Sequence, residues 1–198
     1  MNRPIIFGIL LFFIVFIAIF FIIRNRPSSD QPVSSTTTAD STETNRRRIN
    51  VKLYFGTAGS GMLQTEERSI PYHETLHAQA HEVMAALLAG PKGDLVPTIP
   101  EGVKLLDILV SKDGVAYVDL SGEIVSNHQG GTTGEMVTIY SIVNTLAINL
   151  PQIHWVQILI DDRAVDTLKG HMDLSRPLKP DLSLARQDQV ETRERTAL

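Results

Sequence analysis

Along residues 50–182 the spacing of apolar positions switches between two and about 3.6, the periods of a strand and of a helix. Residues 50–55 (NVKLYF) alternate and predict a first strand; after Gly59-Ser60-Gly61, residues 62–70 alternate loosely up to Pro71 and predict its hairpin partner. A helix follows, with His73 in its first turn. Its apolar residues Leu76, Ala80, Val83, Met84, Leu87 and Leu88 fall on one stripe, and Gly90-Pro91 ends it. Residues 104–110 and 115–120 read as two more strands around a tight Asp113-Gly114 turn.

A second helix is predicted after Gly130-Gly131, where Thr132 and Glu135 have capping-box spacing. Met136, Ile139, Tyr140, Val143, Leu146, Ala147 and Leu150 form its stripe, and Pro151 closes it. Residues 155–160 (WVQILI) are almost uniformly apolar, as a central strand would be, and Asp161-Asp162-Arg163 turns the chain into a last extended piece through Leu168. The order β-β-α-β-β-α-β-β predicts an α+β fold, two helices packed on a mostly antiparallel sheet.

The flanks follow other rules. Beyond a short tail at residues 1–4, residues 5–23 (IIFGILLFFIVFIAIFFII), opening on Ile5 and closing on Ile23, carry no charge and match the length of a membrane-spanning helix. Arg24-Asn25-Arg26-Pro27 follows directly, without the small residues of a cleavage site, so a retained anchor is expected. The charges on its two sides nearly balance and do not fix its orientation. Residues 24–49 are rich in Ser, Thr and Pro and lack aromatics, which predicts a flexible tether with a reach on the order of 25 Å. Residues 183–198 read as a charged, flexible tail. The 198 residues thus hold one domain, residues 50–182, with appendages.

Composition narrows the chemistry. A net charge of −4 argues against a nucleic-acid binder, and the one dense basic run, Arg46-Arg47-Arg48, suits solvated or juxtamembrane charge. The chain has no cysteine, which excludes disulfides, thiolate nucleophiles, Cys-type zinc sites and a thioether-linked lipid.

One motif carries a mechanism. His73-Glu74-Thr75-Leu76-His77 satisfies H-E-x-x-H, in which two histidines on one helical face bind zinc and the glutamate serves as general base. A third ligand is lacking: His81, four residues further along the same helix, lies roughly 12 Å from His73 along the axis. The three histidines instead step along the edge of the apolar stripe as boundary residues. Other groupings are weaker. Gly56 to Gly61 lacks the lysine of a phosphate loop and leads into a strand. Gly130-Gly131 could offer amides to an anion, but Thr132 and Glu135 are placed to cap that end. Ser121, His128 and Asp119 have triad residue types without a nucleophile elbow. Asp161-Asp162 and Glu66-Glu67 read as turn and exposed-strand acids. No catalytic, cofactor-binding or metal residue is assigned.

The ordered segments Leu87-Leu88-Ala89-Gly90-Pro91, Ile99-Pro100-Glu101-Gly102, Asp113-Gly114-Val115-Ala116-Tyr117-Val118-Asp119-Leu120-Ser121 and Ser141-Ile142-Val143-Asn144-Thr145-Leu146, with Gly170-His171-Met172-Asp173-Leu174 near the end, resemble the GerMN domain of bacterial sporulation and spore germination proteins. The resemblance implies a fold similar to the small ring-building modules of envelope complexes. It also implies an extracytoplasmic, membrane-tethered, non-enzymatic domain that engages envelope proteins or the cell wall, with self-association a further option and no cofactor. The chain departs in having a single domain on a peptide anchor, and in Asp162 where the pattern has glycine. The alternative reading is a zinc-dependent hydrolase of envelope material acting through His73 and His77.

Overall fold

A computed structural model describes residues 47–186. Six strands run β1 (Arg48–Gly56), β2 (Leu63–Pro71), β3 (Leu105–Val110), β4 (Val115–Leu120), β5 (Trp155–Ile160) and β6 (Arg163–Ala164). Three helices, α1 (Leu76–Leu88), α2 (Glu123–Ser126) and α3 (Thr132–Asn149), are followed by a 3-10 turn at Leu182–Leu184. The fold is α+β, as the periodicity predicts. No helix among the described residues is long and apolar enough to cross a membrane. The apolar run at residues 5–23 lies outside them, as do residues 24–46 of the predicted tether and 187–198 of the predicted tail.

The strands form two sheets rather than one: β1 pairs with β2, and β3-β4-β5-β6 make the second. Three of the four pairings are antiparallel, while β4 and β5 are parallel. A parallel neighbour needs a crossover, and α2 with α3 supplies it. Gly114 makes the entry to this pair close: its φ is +78°, and a Cβ there would stand 2.6 Å from the His154 ring and 2.8 Å from the Gln152 carbonyl. Its own carbonyl accepts the His154 and Trp155 amides.

The inward positions build one core, with Leu53, Phe55, Met84, Leu87, Ile108, Val118, Ile142, Leu146, Val156 and Ile158 all within 2 % of full burial. α1 buries Ala80, Val83, Met84 and Leu87 of its predicted stripe, while Leu76 and Leu88 stay half-exposed. α3 departs further. Every residue from Ser141 to Leu146 is buried, because the helix packs against β1, β5 and α1 and has little solvent face over this stretch. A single stripe suits a helix with one covered side; an enclosed helix must also bury polar residues, and each then needs a partner.

Those partners are backbone groups elsewhere. The Asn149 side chain accepts the Lys52 N–H at 2.8 Å and donates to the Lys52 carbonyl at 2.7 Å, as a neighbouring strand would, and Thr145 Oγ1 accepts the Tyr54 N–H. Further along the same edge, Gly56 exchanges both of its bonds with Val96. The outer edge of β1 is therefore covered without a further strand. Asn144 grips Asp181 in the same two-point manner, at 2.8 and 2.9 Å.

Arg48 begins β1 two residues earlier than the alternation indicates, because its guanidinium bonds Ser69 on β2. Replacing Asn149 with Ala should cost about 1–3 kcal/mol, the loss of its bonds to Lys52. Urea unfolding would show this, and hydrogen exchange of the Lys52 amide should accelerate in the variant.

Candidate functional site

The helix that H-E-x-x-H requires does not carry the motif. α1 starts at Leu76, so His73 and Glu74 precede it and only His77 and His81 lie on it. Thr75 sets the start: its hydroxyl accepts the Ala78 N–H and its carbonyl the Gln79 N–H, a stronger cap than Pro71 and Tyr72 provide. Gln79 secures the entry by accepting the His73 amide at 2.8 Å and donating to the Pro71 carbonyl.

The three histidines accordingly do not step along one helix edge. His73 faces Glu82 at 3.3 Å, His81 is exposed, and His77 donates its Nδ1–H to the Ile108 carbonyl at 2.8 Å. Since the Asp107 carboxylate accepts the Ile108 N–H, both backbone groups of Ile108 are satisfied from side chains. Among the described residues no three His, Asp, Glu or Cys side chains are placed to hold a metal ion.

A cleft of about 330 Å³ lies between the segment Val96 to Pro100 and the turn His128 to Gly130, beside the start of α3. His128 is 8 % exposed. Its Nδ1 accepts the Gly130 N–H at 2.8 Å, so Nε2 carries the proton and donates to Thr138 Oγ1 at 3.0 Å. The Thr138 hydroxyl donates to the Thr98 carbonyl, Thr98 donates to Ser141, and Ser141 donates to the Thr138 carbonyl. Burial pushes the His128 pKa below its ordinary 6.5, against the pull of the Glu135 charge. A neutral imidazole with both nitrogens occupied has no lone pair free to act as a base; here it fixes the turn.

Glu135 overturns the expected capping box. The N-cap of α3 is Gly131, with no side-chain cap, and the Glu135 side chain is fully buried. Its carboxylate accepts His171 Nδ1–H at 2.6 Å and the His171 and Met172 amides at 3.2 Å each. Burial raises its pKa, but these bonds together with the Lys169 amide outweigh it and hold the group below the ordinary 4.5. Glu135 thus ties the loop around Gly170 to the start of α3.

The remaining candidates separate. Ser121 accepts the Lys104 amide, Asp119 the Asp162 amide, and His128 bonds Thr138, so no triad forms. Gly59 and Gly61 take positive φ in the β1–β2 turn, as read. Glu66 is no exposed acid: it pairs with Arg68 and accepts the Lys92 and Gly93 amides, while Arg68 donates to the carbonyls of Ala86 and Gly90 at the end of α1. Asp161 and Asp162 do form the β5–β6 turn, at φ +49° and +63°.

The sequence reading missed Glu135, Asn144 and Asn149 as fold-organising residues. Asparagine within an otherwise apolar helix is a poor helix former, and that was the available signal.

The arrangement that carries this polar scaffold is a known one. Residues 52–166 match the model of the family Germane, "Sporulation and spore germination". The chain belongs to the Germane family. The match covers the strands and helices from the middle of β1 to β6 but not the Glu135-bound loop at Gly170. Among solved structures, a protein from Clostridium perfringens described as a candidate lipoprotein is 31 % identical, over 67 % of this Germane chain and 87 % of its own, with a TM-score of 0.49. The tandem GerMN domains of the sporulation protein GerM from Bacillus subtilis share the fold at 16 % identity and a TM-score of 0.52, over 67 % of this chain and 46 % of theirs. The first GerMN domain of the same protein aligns at 18 % identity over 71 % of this chain and 99 % of its own, with a TM-score of 0.48. No curated protein matches the chain.

Replacing Glu135 with Gln should destabilise the domain by about 1–3 kcal/mol at neutral pH, since a neutral amide serves the Lys169, His171 and Met172 donors less well. A group with a depressed folded pKa stabilises above its unfolded value, and that contribution is lost as the pH falls through the folded value. The gap between wild type and variant should therefore close below about pH 4.5, as read by urea unfolding. Acid should weaken the wild type in two windows, first below 6.5 through His128 and then below 4.5 through Glu135.

Replacing His77 with Ala should cost only about 0.5–1.5 kcal/mol. Zinc content after purification should be the same in both proteins; stoichiometric zinc lost in the variant would restore the enzyme reading.

Proposed function

We propose that the chain is a membrane-anchored, extracytoplasmic module of the cell envelope that works by binding other proteins and catalyses no reaction. The family match over residues 52–166 carries this reading. The segments that carry the resemblance are turns, caps and core, and the polar groups that seemed candidates for chemistry hold backbone: His77 serves Ile108, His128 serves Gly130, and Asp119 serves Asp162. Such residues hold a shape rather than build a reaction centre. The apolar run at residues 5–23 supplies the anchor, and the tether after it keeps the domain near the membrane. The chain has no cysteine to carry a lipid, so attachment falls to that apolar run. A setting in sporulation or germination follows from the family.

Three measurements test the reading together. A reporter fused after Leu198 should behave as exported, and deletion of residues 1–26 should release the chain from the membrane fraction. Leu87→Ala, which opens a cavity in the core at a cost of about 2–5 kcal/mol, should lower partner capture from native membranes in proportion to the unfolded fraction. His73→Ala combined with Glu74→Ala alters only partly exposed or exposed positions and should leave both capture and biological function intact. If that variant folds and still captures its partner but function is lost, a chemical step exists and the module reading fails.

A further inference from the structure

The outer face of the β3-β4-β5 sheet does not look like ordinary solvent-facing surface. Side chains alternate across a sheet, so Asp107 and Leu109 on β3, Tyr117 and Asp119 on β4, and Trp155 and Leu159 on β5 all point away from the core. Leu109 is 62 % exposed, and Tyr117 and Trp155 are each 37 % exposed. At one end Lys179 sits over the Trp155 ring at 4.5 Å. At the other, a recess of about 310 Å³ is lined by Asp107, Leu109, Tyr117, Asp119, Leu159 and Asp162.

Three features of the recess call for a cation. Asp107 and Asp119 stand directly opposite each other across β3 and β4, a like-charge pairing that destabilises a sheet unless it is neutralised. Among the described residues none of the three carboxylates takes part in an ion pair, and no Lys or Arg lines the recess. Asp119 is 92 % buried, since 8 % is exposed, and only its Oδ1 has a hydrogen-bond partner, the Asp162 amide; its second oxygen remains for the recess.

The carboxylates do not converge as a metal cage requires, and the walls are a phenol ring and two leucines. That combination suits an organic cation on an aliphatic stem, its head on the carboxylates and its methylenes on Leu109 and Tyr117. Three acids repel anionic lipid headgroups and anionic wall polymers, which leaves protein as the partner class.

We infer that this face docks an extended basic and apolar segment of a partner protein, seating an arginine or lysine in the recess between Asp107, Asp119 and Asp162. This rests on the binding-module reading and names its surface. The apolar band running from Leu109 and Tyr117 toward Trp155 takes the partner's apolar side chains, and Lys179 at the far end repels a second cation there, which gives the docked segment a direction.

The test uses the full chain in nanodiscs of zwitterionic lipid, titrated with a labelled peptide of alternating arginine and leucine and with its glutamate–leucine counterpart. The basic peptide should bind, and the acidic one should not. Asp107→Asn combined with Asp162→Asn should weaken the basic peptide about tenfold, and Leu109→Ser should weaken it to a similar degree. The melting temperature of the double variant should be unchanged or higher, because the cross-strand repulsion is relieved.

Equal affinity in wild type and double variant, equal binding of the acidic peptide, or displacement of the basic peptide by calcium alone would overturn the assignment. Self-association of the wild type that the double variant loses would give the face to a second copy and overturn it as well. Native partner capture that persists in the double variant sinks the recess but leaves the module standing. If the wild type captures nothing from native membranes, the module reading fails whatever the peptide does.

Discussion

The fold depends on an enclosed helix having to satisfy its own polar side chains. α3 is surrounded on several sides, so the polar residues in its middle cannot turn to water, and leaving them unpaired would cost more than most single contacts contribute. The solution is reciprocal. Asn149 and Thr145 complete the edge of β1, Asn144 holds Asp181, Thr138 and Ser141 hold Thr98, and Glu135 holds the loop at Gly170. Each partner is a backbone or side-chain group in a segment with little regular structure or an open edge. One helix thereby orders four separate parts of the chain.

This arrangement accounts for many residues with chemical potential whose polar atoms are taken up by the fold. A histidine, a glutamate and several hydroxyls occur near the cleft beside α3, but their donors and acceptors are matched within the domain. Where matching is incomplete, as at Asp119, the group faces outward on the sheet. The division is spatial: polar groups around α3 define the scaffold, and the outer face of β3-β4-β5 keeps exposed apolar side chains and an incompletely matched carboxylate.

Periodicity revealed most of the elements because each strand and helix has an inside that repeats. β4 and β5 coincide with their apolar runs, and the α1 stripe is the face that packs. Two matters were not legible. The split into two sheets and the parallel β4–β5 pair depend on which strands meet, which local alternation does not encode. The role of Glu135 was hidden because an acid three residues after Thr132 has the same spacing whether it caps a helix or turns inward toward His171, 36 positions away. The H-E-x-x-H coincidence dissolves for a local reason, since Thr75 starts the helix inside the motif. The outer sheet face was visible only as alternation; that Asp107 and Asp119 stand opposite each other needed the register.

The bond between Lys52 and Asn149 spans 97 positions. A ribosome adding about 5–20 residues per second makes Lys52 about 5 to 20 s before Asn149 exists. Hairpins form in microseconds, so β1 and β2 can zip early, yet their core-facing side, Leu53 and Phe55 included, has nothing to pack against until then. During that interval β1 also shows an uncapped edge to any neighbouring nascent chain. The charged and β-disrupting positions on this hairpin, Lys52 between Val51 and Leu53 and the acids Glu66 and Glu67 on β2, lie where they would discourage such pairing. The late arrival of α3 therefore leaves the first hairpin waiting for its cover, and ties the completion of the domain to the order of synthesis as well as to final stability.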